Sequence, residues 1–259
     1  MRPPRLGGVK AKTRLLLFHV FAGMAAGLSR GALTRSLLTG SYGSGLDREL
    51  NALEAAAFLE TLPAGPADRV WRLTAKGRDA VFGGRDPERL WNRAWDGRWR
   101  CVFFDLPRKR NADRSLLRRA LRARGFGCMQ GSVWITPDPL NEVSHLKGDV
   151  FAKSLVFFEG RPCGGESDED LVAAAWHWTA IDSRYQSLEG FLESRPTTGG
   201  CEVEGAWTSW TRREFALWLD LARLDPFLPR HLCPDGYRGF DVWRLRQKVY
   251  SRAMAVPLT

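Results

Sequence analysis

The stretch from Arg98 to Pro137 constrains this chain most. "RWRCVFFDLP" (98–107) is an apolar run stopped by Pro107, which has no N–H to extend a strand ladder. "NADRSLLRRALRARGF" (111–126) has helical periodicity. Asn111 is its expected cap, Leu116, Leu117, Ala120 and Leu121 its inward face, and Gly125 its stop. "CMQGSVWITP" (128–137) returns to strand, "PLNEVSHLKGDV" (139–150) suggests a short helix, and "SLVFFEG" (154–160) is a further strand. A β-α-β-β-α-β sheet of ferredoxin type holds all these pieces.

Charge narrows the partner. The 259 residues carry a net +10, divided as +6 over 1–90, +6 over 91–160 and −2 over 161–259. The first two-thirds therefore attract anions, which points toward nucleic acid. Between Arg108 and Arg124 lie eight cations and one acid, and Arg114, Arg118 and Arg122 fall at i, i+4, i+8. Like charges at that spacing destabilise an isolated helix slightly. Two readings stand side by side: a phosphate-binding or dimer face, or a solvated face answered by acids elsewhere.

The five cysteines have no CxxC pair, and the four histidines are scattered without HExxH. Reduced thiols in a cytoplasm fit this usage better than a disulfide framework or zinc ribbon. No apolar run reaches the roughly 18–20 residues that a membrane span needs. "LLLFHVFAGMAAGL" (15–28) has the outline of a signal peptide, yet His19 and two glycines weaken it, and a buried first helix is the expectation.

Upstream of the central stretch, helices are expected over 11–26, 30–40 and 45–60. The last aligns Leu46, Leu50, Leu53 and Ala57 on one face. Two strands around a Pro/Gly turn follow within 58–74, then a helix capped by Thr74. Three helices and a hairpin are the elements of a winged helix-turn-helix. Its third helix would expose Ser44, Asp47, Arg48 and Asn51, and Arg and Asn are the usual readers of guanine and adenine edges. Arg48 and Asn51 are the expected base contacts, with Arg35, Arg69, Arg72 and Lys76 on phosphates. The alternative is a degenerate winged helix kept for protein contacts.

Downstream, helices are expected over 168–194, 209–224 and 239–255, the first capped by Ser167 or Asp168 with an acidic first turn. Trp176, Trp178 and Tyr185 line either an apolar pocket or plain core. The breaks "FGGRDPER" (82–89) and "EGRPCGGESDED" (159–170) suggest three parts: 1–87 winged helix, 88–163 ferredoxin-like, 164–259 helical. The fold class is α+β.

Asp105 ends the first central strand. A metal site needs further carboxylates or histidines converging on the ion, and Arg108, Lys109 and Arg110 compete for this one. A structural polar stop is the stronger reading, and a metal-dependent nuclease the rival.

With these residues in view, the chain resembles the PaaX family of bacterial transcriptional repressors. "WDGRWRCVFFDLP" (95–107), followed by "RSLLRRALRARGFGCMQGSVWITP" (114–137) with its GFG–x–x–x–G–x–x–W core, is similar to that family's central domain. "VWRLTAKGRDAV" (70–81) resembles its wing, and "DPFLPRHLCPDGYRGFDVWRLRQKVY" (225–250) its C-terminal signature. The resemblance implies a dimeric, cytoplasmic, non-enzymatic repressor on a double-stranded DNA operator, without cofactor. It also implies a central domain like that of a small CRISPR-associated nuclease subunit, in which Asp105 stands at the metal-binding position. Release from DNA would follow binding of an aryl-CoA or acyl-CoA thioester. Trp178, Arg184, Tyr185, Arg238 and Arg244 are the expected effector contacts.

Overall fold

The computed structural model describes residues 33–34, 46–62, 70–82, 85–139, 154–196 and 203–254. Among them the chain packs as two compact units. One gathers the described residues within 87–184 and 220–237. The other gathers those below 87 with those within 185–219 and 238–254.

In the second of these units, β1 (Leu33–Thr34) pairs antiparallel with β3 (Val70–Leu73), which also pairs with β2 (Leu59–Leu62), giving the order β1-β3-β2. α1 (Leu46–Ala55) precedes the hairpin and buries Leu50 and Leu53. Ala57, expected on the same helical face, instead lies past the helix end at φ 57° and is exposed. It turns the chain directly into β2. The helix expected over 30–40 is corrected at Leu33–Thr34, which form strand. Their pairing with Trp71 and Val70 satisfies backbone groups of β3 that the hairpin alone leaves open. The first expected helix, over 11–26, lies outside the described residues.

α2 (Ala75–Val81) starts where expected: the Thr74 hydroxyl accepts from the Gly77 N–H at 3.0 Å and donates to the Ala57 carbonyl at 2.7 Å. Gly77 is required there, since a Cβ would sit 2.1 Å from the Phe58 carbonyl oxygen. The short helix α3 (Pro87–Trp91) follows.

The central sheet belongs to the first unit. β4 (Trp99–Phe104) runs antiparallel to both β6 (Val133–Thr136) and β7 (Leu155–Gly160), and β5 (Gly127–Gln130) pairs with β6. The order β5-β6-β4-β7, with a helix crossing from β4 to β5, is the split β-α-β of the ferredoxin type. The expected helix over 139–150 falls almost wholly outside the described residues.

The crossing helix, α4 (Asn111–Arg122), follows a 3₁₀ turn at Arg108–Arg110. Asn111 is its first helical residue and not its cap. Arg110 holds the cap position without a side-chain cap bond, because the turn leads into the helix with no extended residue between. Leu117 and Leu121 are fully buried with Val102, Phe104, Leu106, Phe126, Trp134 and Leu155. Burying each leucine contributes about 2 kcal/mol. Leu116, expected inward, is 51% exposed. Gly125 ends the helix at φ +81°, as its place in the sequence suggests.

The other sheet face is half covered. α5 (Asp168–Ala175) is capped by Ser167, whose hydroxyl accepts from the Asp170 N–H while Asp170 answers the Ser167 N–H, a full capping box. The Ser167 N–H, and its hydroxyl donating at 2.8 Å, hold the Asp170 carboxyl below its ordinary pKa. A Cβ on Gly127 would lie 2.6 Å from the Ala175 methyl and the Trp176 ring, so only glycine lets α5 approach β5. The single helix expected over 168–194 is broken. Trp176 is extended (φ −124°, ψ 147°), which brings its indole to 6.2 Å from Trp99. α6 (Trp178–Glu193) then restarts. α7 (Val203–Leu224) begins earlier than the expected 209, and α8 (Gly239–Met254) closes the described chain.

Candidate nucleic-acid interface

On α1, Asp47, Arg48 and Asn51 are all exposed. Arg48 and Asn51, three residues apart, share one helical face. Of the remaining expected DNA contacts, Arg35, Ser44 and Arg69 lie outside the described residues. Arg72 is exposed but bonds Glu60 at 2.7 Å, its cross-strand partner between β3 and β2. Lys76 donates to the Ala56 carbonyl at 2.7 Å and lies 4.6 Å from the Phe58 ring centroid. Arg72 and Lys76 therefore brace the hairpin and the α1–β2 turn, with their charge still at the surface.

Of the arginine row on α4, where the sequence suggested a phosphate or dimer face, Arg114 and Arg118 are half-buried and reach back to loop carbonyls, whereas Arg122 is exposed. Arg114 donates to the Leu106 carbonyl, and Arg118 to the Gly131 carbonyl at 3.2 Å. The Arg122 guanidinium carbon lies 5.3 Å from the Trp134 ring centroid. Long guanidinium side chains on the flank of an amphipathic helix reach back to loop carbonyls and aromatic faces, which spacing alone does not show. Arg124 donates to the Ala120 carbonyl at 3.1 Å, and burial lowers its pKa.

Asp105 is exposed one residue past β4, and its N–H reaches the Ser154 carbonyl at 3.3 Å. Among the described residues, no group of three or more His, Cys, Asp or Glu side chains converges as a metal site would require.

Two polar networks carry the motifs of the first unit. In "WDGRWR", Gly97 turns at φ +73° and Asp96 accepts from the Arg98 N–H at 3.0 Å and from Arg100. Arg100 is buried and also reaches Glu159 at 3.1 Å and the Pro137 carbonyl at 3.1 Å. Hydrogen bonding to Arg100 holds Asp96 below its ordinary pKa. In "DPFLPRHLCPDGY", the fully buried Asp225 accepts from the Phe227 N–H at 2.6 Å and the Tyr237 hydroxyl at 2.6 Å. Tyr237 in turn accepts from the Trp91 indole at 3.1 Å. Arg93 joins Asp138 at 2.6 Å and donates to the Phe227 carbonyl. Sequence reading missed these bonds, because their partners lie up to 146 residues apart.

Cys233 sits inside this loop, and burial, followed by the Asp225 charge, pushes its thiol up to about 12. The thiolate is the reactive form. Alkylation of the folded chain at pH 8 is therefore expected to label exposed Cys163 and spare Cys233 until denaturant is added, as peptide mass mapping would read.

Three of the expected effector contacts have local partners. Trp178 donates to the Val172 carbonyl at 2.8 Å, and its ring lies 6.0 Å from that of Tyr237. Tyr185 is buried, and Arg184 is exposed. Arg238 pairs with Glu189 at 3.1 Å, and Arg244 with Asp241. Trp178 and Arg184 fall in one unit, Tyr185, Arg238 and Arg244 in the other.

Residues 92–172 match the family model described as the PaaX protein central Cas2-like domain. The central segment is PaaX-like. The glycines of its signature have physical reasons: Gly125 and Gly131 adopt positive φ, and Gly127 admits α5. No curated protein matches the chain by sequence. Among solved structures, an uncharacterized protein, Rv0674 from Mycobacterium tuberculosis, shares the fold at TM-score 0.57 and 21% identity. That match covers 95% of this chain and 97% of the other. No helix among the described residues is long and apolar enough to cross a membrane.

Proposed function

We propose that this chain is a PaaX-like DNA-binding transcriptional regulator, a repressor whose release from its operator follows binding of an aryl-CoA or acyl-CoA thioester. The observation that carries the reading is the PaaX central-domain match over 92–172. The small β1-β3-β2 sheet behind α1 supports a winged helix over 1–87, with Arg48 and Asn51 offered to base edges. A ferredoxin-like part over 88–163 and a helical part over 164–259 complete the proposed division.

Homodimerisation belongs to the proposal. Among the described residues, Phe103 (38% exposed), Val156 (52%) and Phe158 (59%) share the sheet face opposite α4, with the Phe103 and Phe158 rings 5.5 Å apart. Clustered exposed aromatics of this kind mark association surfaces.

The test is a competition footprint on the DNA upstream of the chain's own coding sequence, with and without phenylacetyl-CoA. Protection that the thioester abolishes supports the reading. The paired Arg48→Ala and Asn51→Ala substitutions are expected to cost about 1–3 kcal/mol each on the preferred sequence. They should leave binding to scrambled duplex nearly unchanged. Protection indifferent to both substitutions would refute these two base contacts.

A further inference from the structure

The inward turn of Arg114 and Arg118 leaves a different row of α4 facing outward. Asn111, Ser115, Arg119 and Arg122 are exposed. At 100° per residue they fall within one sector of the helix, and from 111 to 119 the row spans about 12 Å. Asp113, the acid of this helix, is held by Arg110 at 2.6 Å on another side.

Several other cations of the central segment have partners, while Lys109 and Arg161 are exposed like this row. Arg93 meets Asp138, Arg98 meets Glu159 at 3.0 Å, and Arg100 meets Asp96. Arg114, Arg118 and Arg124 meet carbonyls. Among the described residues no acid answers Arg119 or Arg122. Guanidinium, amide and hydroxyl donors without an intervening carboxylate match a phosphate backbone, which offsets the mutual repulsion by counterion release.

We propose that the outward row Asn111–Ser115–Arg119–Arg122 is a second, sequence-blind contact with the phosphate backbone of duplex DNA. This rests on the DNA-binding reading above and adds to it a role for the central domain.

The experiment measures the salt dependence of full-length chain binding to upstream and scrambled duplexes by fluorescence anisotropy. Arg119→Gln/Arg122→Gln is expected to flatten the slope of log K against log salt by about 2, at roughly 0.9 for each phosphate that is no longer neutralised. Affinity should fall alike on both duplexes, with the preference between them kept. Arg119→Glu, which leaves Arg122 on Trp134 undisturbed, should fall in the same direction. Arg223→Gln/Lys248→Gln, with the same change in net charge at exposed positions elsewhere, should leave the slope unchanged. An unchanged slope in the Arg119 variants, with salt-sensitive binding by the unaltered chain, would overturn the proposal and leave the DNA reading standing. An equal drop in the control pair would overturn it as well. Absence of salt-sensitive binding by the unaltered chain would overturn both.

Discussion

Glu214→Ala is expected to destabilise this chain by about 3–5 kcal/mol, because it strands a buried charge. Arg246 is 1% exposed and donates to Glu214 at 2.7 and 3.3 Å. The Trp218 ring centroid lies 4.5 Å and the Tyr250 centroid 5.6 Å from its guanidinium carbon, and the Tyr250 hydroxyl reaches Glu214 at 2.6 Å. Trp243, on the same helix as Arg246, packs at 5.3 Å against Phe82 just beyond α2. Damage at Glu214 should therefore spread through the unit that holds α1 and its hairpin. Urea unfolding followed by tryptophan fluorescence reads the loss. The double substitution Glu214→Leu/Arg246→Met should lose much less, since apolar replacements of similar volume remove both charges together. Equal losses in the single and double variants would show that packing, and not the stranded charge, dominates. Burial, reinforced by the Glu214 charge, raises the Tyr250 pKa. Its stability contribution is thus complete below the ordinary tyrosine value of 10.0 and is lost as pH rises above it. Tyr250→Phe should blunt that alkaline decline.

Asp225→Ala should cost about 3 kcal/mol by leaving the Phe227 N–H and the Tyr237 hydroxyl without their acceptor. Phe227 adds to the effect. It is a buried non-glycine residue at φ +48°, a conformation of order 1–3 kcal/mol above the usual regions that persists only when its neighbours fix it. Asp225 holds its N–H and Arg93 its carbonyl. Asp225→Asn, which keeps one carbonyl oxygen, should lose less. A double-mutant cycle of Asp225→Ala with Tyr237→Phe is expected to show coupling of about 0.5–3 kcal/mol, as for groups in one hydrogen-bonded network. Additive losses would mean that the two residues act separately.

The central sheet was legible because its strands are short apolar runs and its helix carries the 3.6-residue period, with Pro107 and Gly125 as stops. Thr74 and Ser167 were legible as caps because a hydroxyl before a helical run has few other uses. What escaped depends on distant partners. The extended Trp176 is set by the sheet it packs on, and a helical pattern runs through it without interruption. Leu33–Thr34 pair because β3 has an open edge, a tertiary cause. The arginines of α4 looked like one continuous row, yet side chains of that length settle on carbonyls and an indole that spacing cannot place. Asp225 read as part of a motif, but its acceptor role appears only once Tyr237 and Trp91 are brought beside it. For Arg48 and Asn51, the sequence named a helical face, and both residues are exposed on α1.

The most direct measurement is equilibrium fluorescence anisotropy of the purified chain on its own upstream duplex and on a scrambled duplex of equal length, in EDTA. The expected result is salt-sensitive binding at least tenfold tighter to the upstream duplex, with the probe intact when magnesium replaces EDTA. Equal affinity for the two duplexes at every salt concentration, or cleavage of the probe on adding magnesium, would contradict the regulator.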